Sequence, residues 1–229
     1  MTPFPACYVT GTDTGIGKTV ASTALLHALR RGGARAVGMK PVASGCELTP
    51  GGWRNEDALD LQAASEPRPD YDTLNPYALP QPLAPEIAAA EAGVTLQLDR
   101  LVQAFATLRA QADSVVVEGV GGWAAPLSAT LDQSALARAL DLPVVLVVGL
   151  RLGCINHARL TAAAIAADRL RCVGWIANEI DPDMARRDEN FALLGARLDM
   201  PCWGRIPWRP GADPAELARH LALPARVGA

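Results

Sequence analysis

Gly11-Thr12-Asp13-Thr14-Gly15-Ile16-Gly17-Lys18-Thr19 is the stretch whose reading decides the fold. It stands between an apolar run, Ala6 to Thr10, and a segment from Thr19 to Arg31 in which Val20, Ala24, Leu25, Ala28 and Leu29 recur at helical spacing. Glycines in such a loop turn backbone N–H groups inward, and the helix start behind them faces the same point. That combination holds phosphate. Lys18 is placed to reach the β- and γ-phosphates of a nucleoside triphosphate, and the Thr19 hydroxyl to ligate Mg²⁺. The common spacing has four residues between the first glycine and the Gly-Lys pair, whereas five separate Gly11 from Gly17. The Gly-Lys-Thr end and the strand–loop–helix setting are intact.

Working outward, Ala36–Met39, Ser114–Val117, Pro143–Val148, Cys172–Ala177 and Trp203–Ile206 read as further strands. Ile155–Ala167 and Met184–Leu198 read as helices, and Gly32-Gly33 ends the first one. Fully apolar strands alternating with helices imply an α/β fold of the P-loop NTPase kind. Its sheet is mostly parallel, doubly wound and covered by helices on both faces, in one domain spanning 1–229. No internal repeat is evident. Pro67 to Pro85 is proline-rich, and its recurring tyrosine and leucine favour an ordered excursion over the sheet, with a linker as the alternative.

Open parallel sheets bind ligands beyond the carboxyl ends of their strands. Six strands run into Gly11, Lys40, Glu118-Gly119, Gly149, Asn178 and Pro207-Trp208, so the unusual polar and glycine residues gather on one rim.

Bulk properties exclude several classes. Half the residues are hydrophobic and 20% are charged, which argues against disorder, and the net charge is −3. No basic stretch suggests nucleic acid. The N-terminus lacks a signal-peptide pattern, and the longest apolar run, Leu142 to Leu150, is too short to span a bilayer. A soluble cytoplasmic protein is expected. Five scattered cysteines form no CxxC pair and suggest reduced thiols, not a zinc site.

Of 21 cationic side chains only Lys18 and Lys40 are lysines; the rest are arginines. Such bias marks places where a compact ammonium is needed and a planar guanidinium does not fit. Lys40 stands at a strand end in Lys40-Pro41-Val42-Ala43-Ser44-Gly45, placed to neutralise charge during phosphoryl transfer. Glu118 ends a strand where the carboxylate partner of a phosphate loop is expected. With Asp57 it makes a carboxylate pair suited to Mg²⁺. Gly119, Gly121 and Gly122 let backbone approach a ligand. Leu152-Gly153-Cys154-Ile155-Asn156-His157 opens a helix whose N–H groups suit a carboxylate or phosphate. No orienting acid accompanies Cys154 and His157, which argues against covalent catalysis.

These motifs, together with Arg54-Asn55, Asn75-Pro76-Tyr77, Gly121-Gly122-Trp123 and Ile206-Pro207-Trp208, resemble the dethiobiotin synthetases from about residue 8 to residue 209. The longer loop spacing is that family's own form. The resemblance implies an ATP- and Mg²⁺-dependent ligase of biotin biosynthesis. CO₂ joins 7,8-diaminopelargonate as a carbamate, the carbamate attacks the γ-phosphate, and the second amine closes the ring. By the same resemblance Lys18 and Lys40 are catalytic, and Thr19, Asp57 and Glu118 hold the metal. Gly15, Ile16, Gly17, Lys18, Thr19, Val20, Asp57, Glu118, Gly119, Val120, Gly121, Asn178, Glu179, Pro207, Trp208 and Arg209 bind the nucleotide. Thr14, Lys40, Ser44, Gly153, Cys154, Ile155 and Asn156 bind substrate, the last four from the other subunit of a homodimer. No nucleic acid or membrane partner is implied. The tail Arg209 to Pro214 departs from the family's usual segment, where an acidic nucleotide contact is sometimes found. A second reading is an ATP-gated dimeric switch like the partitioning ATPases. Those carry an extra lysine early in the loop, where this chain has Asp13.

Overall fold

A computed structural model describes residues 4–225. Six strands form one parallel sheet: β1 (Ala6–Gly11), β2 (Ala36–Met39), β3 (Ser114–Glu118), β4 (Val144–Leu150), β5 (Cys172–Glu179) and β6 (Cys202–Ile206). Their spatial order is β6-β5-β4-β1-β3-β2, and every neighbouring pair is parallel. Continuous apolarity follows from burial on both faces: Val-Val-Leu-Val-Val-Gly-Leu of β4 is buried at every position. Sheet order reverses about β1, which places the ligand crevice above its carboxyl end.

Helices cover both faces. On one side α1 (Lys18–Arg31) and α2 (Glu56–Ala64) pack Leu25, Leu26, Leu29 and Leu61 against Val116, Val145 and Val147. On the other, α3 (Leu98–Gln111) brings Leu101 and Leu108 to Val115 and Val117. Helices α4 (Cys154–Ala167) and α5 (Arg187–Arg197) enclose Leu146, Val148 and Trp175. A short helix α6 (Pro214–Leu217) docks Leu217 beside α1.

Several boundaries differ from those read in the sequence. Strands β1, β3, β4 and β5 run one or two residues further, because parallel pairing carries Val9 to Glu118, Gly149 to Asn178 and Leu150 to Glu179. Glu118 and Asn178 are therefore held in strand ladders. Helix α5 begins at Arg187, not Met184: the Met184 N–H closes a turn on the Asp181 carbonyl at 3.3 Å, and Arg186 is left-handed with φ 53. The segment 67–85 is ordered. It holds a short helix, Tyr71–Leu74, and a strand, Tyr77–Leu79, that pairs in parallel with Val42–Ser44. Leu74, Tyr77 and Leu79 are buried, which supplies the apolar area that a linker lacks.

Candidate active site

The loop after β1 takes the shape its glycines foretell. Gly15 and Gly17 are left-handed, with φ 71 and 77. Gly17 caps α1 without any side-chain cap, which leaves the first N–H groups of the helix for a ligand. Asn178 donates from its amide to the Ile16 carbonyl at 2.9 Å, tying the end of β5 to the loop. A Cβ on Gly17 would collide with that amide. Lys18 donates to the Asp13 carbonyl at 3.1 Å. Asp13 accepts the Thr14 N–H at 2.8 Å and pairs with Arg151 at 2.5 Å.

Lys40 is the hub. Its ammonium lies 2.6 Å from Glu118 and 2.9 Å from Asp57, and the residue is 3% exposed. The 67–85 excursion clamps it: the Lys40 N–H donates to Leu74, and Asn75 donates to the Lys40 carbonyl at 2.7 Å. Glu118 is fully buried. Its Oε1 also accepts the Thr19 hydroxyl at 2.9 Å, while Oε2 is buried without a partner among the described residues. Asp57 owes its place to Asn55, which caps α2 by accepting the Ala58 N–H and reaches the Ser44 carbonyl. Tyr71 accepts the Asn55 N–H and donates to Asn75, joining the two arms.

The charges couple. Burial pulls the Lys40 ammonium down, but Glu118 and Asp57 outweigh it and the net shift is upward, so Lys40 is firmly cationic. Lys18 is held below the ordinary lysine range by burial and then by the Lys40 charge. Asp57 is lowered: burial raises it, and the Lys40 charge and hydrogen bond more than reverse this. Two cations and two carboxylates thus crowd one rim, with one buried carboxylate oxygen still unpartnered.

A cavity of about 880 Å³ opens over this cluster, within the size range of small-ligand sites. Thr14, Gly15, Gly17, Lys18, Thr19, Val20, Lys40, Ser44, Asp57, Val120 and Gly121 line it, all of them anticipated from the sequence. Ile16 is instead buried in the core beneath the loop, and Glu118 and Gly119 lie under the wall. Asn178, Glu179, Pro207, Trp208 and Arg209 do not line the cavity. Glu179 is engaged by Arg205 at 2.7 Å and Arg187 at 3.1 Å. Gly153, Cys154, Ile155 and Asn156 also lie off its wall.

Sequence reasoning missed Thr23, His27 and Asp213, which line the far end beside α1 and α6. Asp213 belongs to the tail that fitted no pattern. Its side chain caps α6 by accepting the Ala215 N–H at 2.9 Å. The signal available was Asp213-Pro214, a capping residue before a proline at the first helical position.

A family model described as an AAA domain matches residues 6–216. The ATP-dependent dethiobiotin synthetase BioD of Xanthomonas euvesicatoria pv. vesicatoria (strain 85-10) is 77% identical over 220 residues, covering 96% of this chain and 98% of that protein. The chain belongs to the dethiobiotin synthetase family. BioD of Xylella fastidiosa (strain 9a5c) is 69% identical over 217 residues, covering 94% of this chain and 96% of that protein. The MinC:MinD cell division complex of Aquifex aeolicus superposes with a TM-score of 0.58 at 14% identity, covering 96% of this chain and 87% of that one. A ParA family ATPase of Chlorobium tepidum TLS gives 0.55 at 16% identity, covering 94% and 89%. These last two are likenesses of fold alone. The synthetase family and the P-loop fold therefore meet in one chain.

Proposed function

We propose that this synthetase joins CO₂ to 7,8-diaminopelargonate and closes the cyclic urea of dethiobiotin at the expense of ATP, releasing ADP and phosphate. The observation that carries the reading is the convergence of the chain's only two lysines on the phosphate loop, beside a cavity large enough for a triphosphate and a small diamine. The loop N–H groups and Lys18 hold the β- and γ-phosphates. Thr14 and Ser44 orient the amine and the carbamate made from it, so that a carbamate oxygen faces the γ-phosphorus. Lys40 offsets the negative charge that develops as the P–O bond forms and ADP leaves. The second amine then attacks the activated carbon, and phosphate departs.

Mg²⁺ fits the residues present. Thr19, Asp57 and Glu118 offer one hydroxyl and two carboxylates, and the unpartnered Glu118 Oε2 is a buried anionic oxygen that calls for a cation. Bound there, Mg²⁺ neutralises phosphate charge. Val20 and Gly119–Gly121 flank the nucleotide, and Asn178, Glu179 and Pro207–Arg209 form the adenine side, with Ile16 supporting the loop from below. Gly153–Asn156 receive the substrate carboxylate in the partner subunit of a homodimer. Two observations support that arrangement. The α4 start lies off this chain's own cavity, and Leu152 in the turn before α4 and Leu160 on the helix stand 90% and 62% exposed. One catalytic domain acting in the cytoplasm suits a chain in which no described helix is long and apolar enough to cross a membrane.

The test supplies purified protein with diamine, bicarbonate, Mg²⁺ and ATP, and follows phosphate and product mass. Phosphate release that depends on the diamine, with one dethiobiotin formed per phosphate, is expected. Hydrolysis independent of the diamine, with no cyclised product, overturns the reading.

A further inference from the structure

Gly119 to Gly122 belongs to neither helix nor strand, yet it carries the backbone that follows Glu118 into the cavity. Its main chain needs partners from elsewhere. One side chain supplies most of them. Gln133, fully buried at the start of the helix Gln133–Ala139, accepts the Val120 N–H on Oε1 at 3.1 Å. Its amide donates to the Val120 carbonyl at 2.7 Å and the Gly122 carbonyl at 2.5 Å. The second lone pair of Oε1 accepts the Tyr8 hydroxyl at 2.8 Å. A fifth, longer bond runs from the amide to the Ala125 carbonyl at 3.5 Å. Every hydrogen-bonding capacity of the amide is thus used, and three of its five bonds go to the Gly119–Gly122 loop. The orientation is unambiguous, because turning the amide would set its oxygen against two carbonyls. Tyr8 stands on β1, three residues ahead of Gly11. Burial, and then the Glu118 charge, push its ionisation up, so it remains a donor. The fit leaves no space: a Cβ on Gly119 would collide with Gln133 Oε1 and come within 2.8 Å of the Tyr8 hydroxyl.

We propose that Gln133, braced by Tyr8, is a positioning residue that fixes the Gly119–Gly122 loop and thereby sets Glu118, Val120 and Gly121 for the Mg²⁺–nucleotide. The proposal rests on the placement of that complex on this rim. A buried glutamine serving stability alone would be expected to satisfy the backbone of its own helix and strand. This one reaches across a glycine loop instead, joining the strand before the phosphate loop to the strand that ends in Glu118.

The experiment compares native protein with Gln133→Leu, Tyr8→Phe, the double variant and Glu118→Gln, measuring Tm, calorimetric Kd for Mg²⁺–ATP, and kcat per folded molecule. Gln133→Leu, which takes the side-chain partner from the Val120 N–H and carbonyl, is expected to weaken Mg²⁺–ATP binding roughly tenfold. Tyr8→Phe, which removes only the brace, is expected to weaken it about twofold to fivefold by the same reasoning. The double variant removes the orphaned hydroxyl, so it should regain Tm over Gln133→Leu while Kd stays weak. Native Kd and kcat in Gln133→Leu, or recovery of Kd in step with Tm in the double variant, overturns the proposal. If Gln133→Leu does not fold, a native Kd in Tyr8→Phe has the same consequence. Retention of native Mg²⁺ dependence in Glu118→Gln would instead sink the placement of the metal, a separate failure.

Discussion

Lys40→Arg isolates shape from charge. The lysine ammonium fits between Glu118 at 2.6 Å and Asp57 at 2.9 Å in a cradle that is 3% exposed. A guanidinium keeps the cation but is planar and larger, so it overfills the cradle at a cost of about 1–3 kcal/mol. At about 2–4 °C per kcal/mol for a chain of this size, Tm should fall by about 2–12 °C. The chemical effect should be larger. Removing one preorganised partner of developing charge typically costs about 2.7–4 kcal/mol of transition-state stabilisation, or roughly 10²–10³ in kcat. ATP affinity should hold within about threefold, because the phosphate loop and Lys18 are untouched. Single-turnover phosphate release well below Tm, paired with calorimetric ATP binding, reads both quantities. Lys40→Met is the companion. It strands the fully buried Glu118 charge and should cost about 3–5 kcal/mol of stability. The half-exposed Asp57 should add no more than about 1 kcal/mol. Near-native turnover in Lys40→Arg would refute the assignment of Lys40 to the reacting centre.

Leu160→Arg places a charge at the exposed leucine of α4, and light scattering should then report a single-chain mass. The KM for the diamine should rise while the Kd for ATP stays native; a stable dimer with native KM contradicts the shared site. A pH titration addresses the Arg35–Asp113 pair on the opposite side of the sheet. Hydrogen bonds from Arg35 hold the Asp113 carboxyl below its ordinary 3.8, so its contribution is present above that value and is lost as pH falls through the lower, folded pKa. The Tm gap between native protein and Asp113→Asn, small at neutral pH, should therefore close only on acidification below 3.8, and a gap unchanged there argues against the pairing.

How much was legible varies with the range of the interaction that decides it. The phosphate loop was legible because its glycines, lysine and threonine act within nine consecutive residues. Lys40 was legible as a scarce cation at a strand end. Asp57 was legible as half of a carboxylate pair but was a weak signal alone, since Glu56 and Asp60 beside it carry the same charge; its pairing depends on how Asn55, Ser44 and Tyr71 anchor α2. Asp213 and His27 were not legible as cavity residues, because no local pattern says that α6 will fold back beside α1.

The sequence by itself determined the alternation of apolar strands and helices, the glycine loop with its Gly-Lys-Thr end, and the strand ends on which the polar residues sit. These follow from burial, backbone sterics and residue spacing, which act over a few residues. The tertiary structure alone decided that Lys40 lies between Glu118 and Asp57 in a buried cluster. It also decided that Gln133 crosses 13 residues of sequence to hold the Val120 backbone and 125 to meet Tyr8. Those pairings depend on which strands become neighbours. Strand order is set by the global packing of both sheet faces, a quantity that no short window of sequence contains.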